Sequence, residues 1–206
     1  MAEPVPSATL VLASASPRRL ALLRQVGLEP VVRAVDVDET PRLGEPPAAY
    51  VARLARAKAQ APARAPGEVV LAADTTVVCD GRVLGKPRDA GDARGMLVRL
   101  AGGCHEVLTG VAVVGGATAP GLPGLPGLAG LLEATVRTRV EMVALTPAQI
   151  DAYVATGEPV GKAGGYAIQG RAAAFVARIE GSYTGVVGLP LAEVLCLLRH
   201  AGVTTP

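Results

Sequence analysis

Aromatic side chains are nearly missing from this chain: its 206 residues contain no Trp, one Phe and four Tyr. The core must then be aliphatic, built from Ala, Val and Leu, and the length suffices for one without disulfide or metal staples. Cysteine is scarce as well. Cys79, Cys104 and Cys196 are odd in number, far apart and in no CxxC pair. That pattern excludes a disulfide framework and a zinc site, and reads as three reduced, mostly buried thiols of a cytosolic protein. The two histidines, His105 and His200, stand isolated; they spell neither a nucleophilic triad nor a metal pair, and both take structural or surface roles. No sign of charge dominates: 20 basic residues face 18 acidic ones for a net charge of +2. A nucleic-acid footprint needs a clustered basic excess. The apolar N-terminal stretch is short and lacks a positive n-region. The 26 charge-free residues from Val107 to Leu132 are long enough to span a bilayer, but seven Gly and three Pro interrupt them. The chain therefore reads as soluble and cytoplasmic, with neither nucleic acid nor membrane as a partner.

What is present alternates strands with helices. Residues 8 to 13 (ATLVLA) form a buried strand, and SPRRLALLRQVG a helix with Ser16 as N-cap, Pro17 in the first turn and Gly27 as its stop. A strand over residues 30 to 35 leads into the acidic turn DVDET, and an Ala-rich helix spans about Pro47 to Arg64. EVVLAA is a buried strand that ends at Asp74, followed by a hairpin turning at Asp80-Gly81. Residues 89 to 101 are helical, and Cys104 to Val114 and Leu132 to Leu145 are long strands. Between these two lies a Gly/Pro-rich segment, about residues 116 to 130, read as an elongated loop. A short helix begins at Thr146-Pro147, the strand AAFVARI follows the glycine-rich GKAGGYAIQG, and a helix from Leu191 to His200 closes the chain. The pattern predicts an α/β fold: one domain over residues 1 to 206, a mixed β-sheet flanked by helices, with one long antiparallel strand pair.

Polar residues break the pattern at strand ends, where open α/β sheets place their sites. Ser14, Ser16, Arg18 and Arg19 occupy the first strand-to-helix turn, where free N–H groups and guanidinium forks suit phosphate oxygens; the same residues also describe an ordinary capped helix. Asp74, directly after VVLAA, needs a metal ion, a cationic side chain or backbone donors, unless it merely caps Thr76 or Val77. Glu39 is a second carboxylate, and two such groups suit one Mg²⁺ against a polyphosphate, although a solvated loop residue fits it equally. Only three of the 20 basic residues are Lys, namely Lys58, Lys86 and Lys162. In a chain that otherwise uses Arg, a retained point charge hints that geometry matters there. Gln169, in AIQG, is an amide among small residues.

Taken together, LASASPRRLALL, DVDET, LARAKA, LAADTTVVCDGRVLGKPRD, HEVLTGVAV, GKAGGYAIQG and GSYTGVVGLPL resemble, in family order, the Maf family of nucleoside-triphosphate pyrophosphatases. The resemblance runs from about residue 10 to residue 191. It implies a hydrolase that cleaves nucleoside triphosphates between the α- and β-phosphates, with a divalent cation as cofactor (Mg²⁺, or Mn²⁺ in its place) and a homodimer as a partner state. Carried over by position, Asp74 matches the proton acceptor, Ser14, Arg19, Lys58 and Lys86 match phosphate contacts, and Glu39 matches a second acidic, metal-facing residue. Arg18, Thr75 and Gln169 match positions tied to substrate choice, with Arg18 also beside the phosphates. The SPRR, ADT and IQG spellings resemble the branch that takes dTTP and UTP. The chemistry agrees: a Gln amide can donate to the C4 carbonyl of uracil or thymine while accepting from N3–H. Gly161, where many relatives have Asp, and Gly185, where a larger residue is usual, depart from the pattern. The alternatives are the same reaction on 7-methyl-GTP or another modified nucleotide, and a non-catalytic nucleotide-binding regulator of cell division.

Overall fold

The computed structural model describes residues 8 to 115 and 130 to 206; the Gly/Pro-rich segment expected as a loop falls almost entirely outside the described residues. Strands β1 (Thr9–Leu12), β2 (Val31–Val32), β3 (Glu68–Cys79), β4 (Arg82–Leu84), β5 (Cys104–Val114), β6 (Leu131–Met142) and β7 (Val176–Glu180) make one mixed sheet. Its order is β2-β1-β3-β5-β6-β7, with β4 paired to β3. β1 is parallel to β2 and β3, and the remaining pairings are antiparallel. The expected long pair is β5 with β6, in register from Cys104–Glu141 to Val114–Leu131.

Helices α1 (Pro17–Gln25), α2 (Pro47–Gln60), α3 (Ala90–Leu100), α4 (Pro147–Val154), α5 (Tyr183–Val187) and α6 (Leu191–His200) cover the sheet. Every second β3 residue (Val69, Leu71, Ala73, Val77) joins the larger core with Leu22, Leu23, Leu97 and Leu198. The alternate residues Val70 and Ala72 pack with Ala55 and Ala59 of α2 on the opposite face. Small residues let α2 lie close. A Cβ on Gly110 of β5 would stand 2.5 Å from the Val51 carbonyl oxygen, so only glycine fits beneath the helix. The core is aliphatic as expected: its largest fully buried side chains are Leu and Val, and each such Leu contributes on the order of 2 kcal/mol.

Four expectations need correction. Asp74 does not end a strand but sits inside the twelve-residue β3. The apolar run stops at Ala73, yet pairing with β5 continues to Val78–Glu106 and keeps the chain extended. Ser16 holds the N-cap position of α1 without a side-chain cap bond; its own N–H donates to Ser14 Oγ at 3.2 Å. Of the thiols only Cys79 is buried, because Cys104 is the exposed first residue of β5 and Cys196 lies on the outer side of α6. The strand expected over residues 30 to 35 shrinks to Val31–Val32, since β1, the strand it pairs with, ends at Leu12. Among the described residues no helix is long and apolar enough to cross a membrane.

Candidate active site

β1 stops at Leu12, opposite Leu71, and β4 first pairs at Val77. Residues 72 to 76 of β3 therefore have a strand neighbour only on the β5 side. That gap in the sheet opens a cleft of about 800 Å³. Because β3 has no covering strand on this edge, groups from both of its faces reach one space. All nine site residues expected from the sequence line it: Ser14, Arg18, Arg19, Glu39, Lys58, Asp74, Thr75, Lys86 and Gln169.

Asp74 and Lys58 form its centre. Asp74 is 8% exposed, and it shares a sheet face with Val70 and Ala72, so it looks toward α2. Lys58, in the last turn of α2, places Nζ 2.6 Å from Asp74 Oδ1 and 2.5 Å from Glu39 Oε1. The alternative that Asp74 merely caps Thr76 or Val77 is thereby set aside. Burial pushes the Asp74 carboxyl up, and Lys58 and Arg19 only partly offset it. Burial also works against charge on Glu39, but there Lys58, Lys86 and Arg19 outweigh it and the net direction is down. Two adjacent carboxylates thus differ: one is a stronger base than an ordinary aspartate, the other a weaker base than an ordinary glutamate. Tyr50 supports the second by donating its OH to the Glu39 carbonyl oxygen at 2.9 Å.

Arg19 is the structural hub. Its Nη1 donates to Ser14 Oγ (3.1 Å), Nη2 to Thr75 Oγ1 (3.3 Å) and Nε to the Gly188 carbonyl (2.8 Å). Gly188 has φ +129, which a side-chain-bearing residue rarely adopts, and this turns its carbonyl to the guanidinium. Thr75 Oγ1 in turn meets Thr109 Oγ1 at 3.0 Å, and Thr109 donates to the Gly185 carbonyl at 2.9 Å. Thr109 was not singled out in the sequence; the β3–β5 register is what sets it opposite Thr75. Lys162 and Tyr166 also line the cleft. Among the described residues Arg18, Lys86 and Gln169 have no side-chain hydrogen-bond partner, which leaves them to meet a ligand.

Glu39 and Asp74 are hard oxygen donors, the kind a divalent cation takes, but both already face the same ammonium group. Lys58 already places one positive charge between Glu39 and Asp74. Among the described residues no group of three or more His, Cys, Asp or Glu gathers at one point, so two carboxylates are what the chain itself offers here.

Comparison with known proteins gives a consistent answer. The profile described as Maf-like protein matches residues 9–201. The chain is 57% identical over 197 residues to the dTTP/UTP pyrophosphatase of Anaeromyxobacter dehalogenans strain 2CP-C, covering 96% of each chain. It is 52% identical over 196 residues to the protein of that name from Cereibacter sphaeroides, covering 95% of this chain and 96% of the other. It is also 52% identical over 198 residues to that of Myxococcus xanthus, covering 96% and 94%.

Proposed function

The chain belongs to the Maf family, and from that premise we propose that it hydrolyses dTTP and UTP to the nucleoside monophosphate and pyrophosphate. The observation that carries this reading is the cleft itself. Five cationic side chains (Arg18, Arg19, Lys58, Lys86 and Lys162) and one buried, basic carboxylate share a single opening at the broken edge of the sheet.

The triphosphate lies beside the start of α1, its oxygens met by Ser14, Arg18, Arg19, Lys58 and Lys86. Asp74 orients water toward the α-phosphorus and accepts its proton. The water oxygen bonds to that phosphorus as the bridging P–O bond to the β-phosphate breaks, and pyrophosphate leaves. The fixed cations stabilise charge that grows on the leaving group, where such stabilisation counts most. Mg²⁺ would be held by Glu39 and Asp74, and when bound it supplies Lewis-acid charge to phosphate oxygens. Gln169 reads the base, donating to the C4 carbonyl and accepting from N3–H. Thr75 and Arg18 act on substrate choice more indirectly, Thr75 by fixing Arg19. With free nucleotides as substrates, the cytoplasm is the matching compartment.

A nucleotide panel assayed for pyrophosphate, with and without Mg²⁺, tests the reading. UTP and dTTP should lead in the presence of Mg²⁺, and Asp74→Asn should fold normally yet lose about 10²–10⁴-fold in rate. Nucleotide binding without turnover would instead mark a regulator.

A further inference from the structure

Gln169 is exposed and lines the cleft. Its amide has no partner among the described residues. Nothing within the fold therefore holds the side chain, and its reach toward a base is set by its backbone alone. That backbone is held with unusual care. Tyr153, near the end of α4 and 3% exposed, accepts a hydrogen bond from the Ala167 N–H at 3.2 Å and donates its OH to Glu158 Oε1 at 2.8 Å. Glu158 Oε2 accepts from the Arg171 N–H at 3.0 Å, and Oε1 from the Ala172 N–H at 3.3 Å. The tied residues bracket Gln169, two positions before and two after.

Three further contacts stiffen the frame. The Glu158 carboxylate lies against Gly170, where a Cβ would stand 2.4 Å from it. The turn after α4 closes on itself: Thr156 Oγ1 donates to the Tyr153 carbonyl at 2.6 Å and accepts from the Glu158 N–H at 3.1 Å. The Tyr153 ring meets Phe175, the end of the 3-10 turn Arg171–Phe175, edge to face at 5.2 Å. Burial disfavours charge on Glu158, but its donors outweigh that and keep the carboxyl below its ordinary range. An ionised carboxylate has acceptor sites for all three donors at once.

We propose that Glu158, acting with Tyr153, is the positioning residue that sets where Gln169 presents its amide, and so sets discrimination among nucleobases. The proposal rests on Gln169 as the base reader. Neither Glu158 nor Tyr153 touches the cleft centre; they act through the segment they clamp.

The test is a selectivity cycle. UTP and GTP offer Gln169 the same pair, a ring carbonyl beside an N–H, but the two-ring purine carries it farther from the sugar, so their ratio reads where the amide stands. The ratio of their kcat/KM values is measured for the wild type, Glu158→Gln, Gln169→Ala and the double variant. In Glu158→Gln the new amide N–H₂ opposes a backbone N–H, and an ångström-scale displacement of a reading group costs up to ~10²-fold. The UTP/GTP ratio should fall about 10- to 100-fold in Glu158→Gln, should fall in Gln169→Ala, and should fall no further in the double variant. A general loosening of the fold would lower both substrates together and add to Gln169→Ala. Tyr153→Phe keeps the carboxylate and the ring; it supplies the same comparison, with a smaller fall in the ratio, should Glu158→Gln fail to fold. An unchanged ratio in the clamp variants while Gln169→Ala lowers it overturns the clamp alone, as does additivity in the double variant. An unchanged ratio in Gln169→Ala overturns the base-reading assignment and the clamp with it.

Discussion

One buried side chain, His105, should make its own separable contribution to acid destabilisation of this protein. It is 3% exposed, its Nε2 meets Tyr166 OH at 2.8 Å, and its Nδ1 is buried without a partner. A proton added to the ring would bury a cation and an unpaired N–H, and burial accordingly lowers the pKa from 6.5 to about 4. The unfolded chain takes up that proton near the ordinary value while the folded chain does not. Stability therefore falls as pH drops through 6.5 and levels off below about 4. The full effect is ~3 kcal/mol, and about 2 kcal/mol is already lost near pH ~5. For a chain of this size that is a fall in Tm of about 4–8 °C. His105→Gln removes the titration while keeping a polar group near Tyr166. Urea unfolding of both proteins cancels the groups they share. Between about pH 7.5 and about pH 5 the variant should gain roughly 2 kcal/mol on the wild type. Parallel curves would mean that His105 is not held neutral by burial, and the reasoning would fail.

Two further outcomes follow from the site. Gln169→Glu sets an acceptor against the C4 carbonyl oxygen in place of a donor, so kcat/KM for UTP should drop at least ~10-fold; an unchanged substrate profile would remove Gln169 from recognition. Gly110→Ala drives a methyl into the α2 backbone and should cost about 1–3 kcal/mol in thermal unfolding while lowering kcat, because α2 carries Lys58. Wild-type stability there would show that the helix does not need so close an approach.

Much of this arrangement was legible in the chain itself. The apolar ATLVLA before SPRR gave the opening strand and helix, and Asp80-Gly81 gave the hairpin because both residues take positive φ. The site residues became legible together through the family resemblance; taken singly, SPRR also described a capped helix and Glu39 a solvated loop residue. The end of β3 was not legible: hydrophobicity stops at Ala73, whereas pairing with the distant β5 decides the strand. Helix α5 was equally hidden. Its five residues include Gly185 and two valines, poor helix formers, and it stands because Ser182 Oγ accepts the Gly185 N–H and Val187 is buried. Nor does local sequence reveal that Thr109 links Thr75 to Gly185, since 34 and 76 positions separate the partners.

The account turns on which phosphorus Asp74 faces. Hydrolysis of UTP in ¹⁸O-labelled water, with products resolved by mass spectrometry, answers that directly. Label should appear in UMP, with pyrophosphate unlabelled. Label in pyrophosphate, or UDP with labelled phosphate, would mean attack at another phosphorus and would contradict the assignment of the cleft.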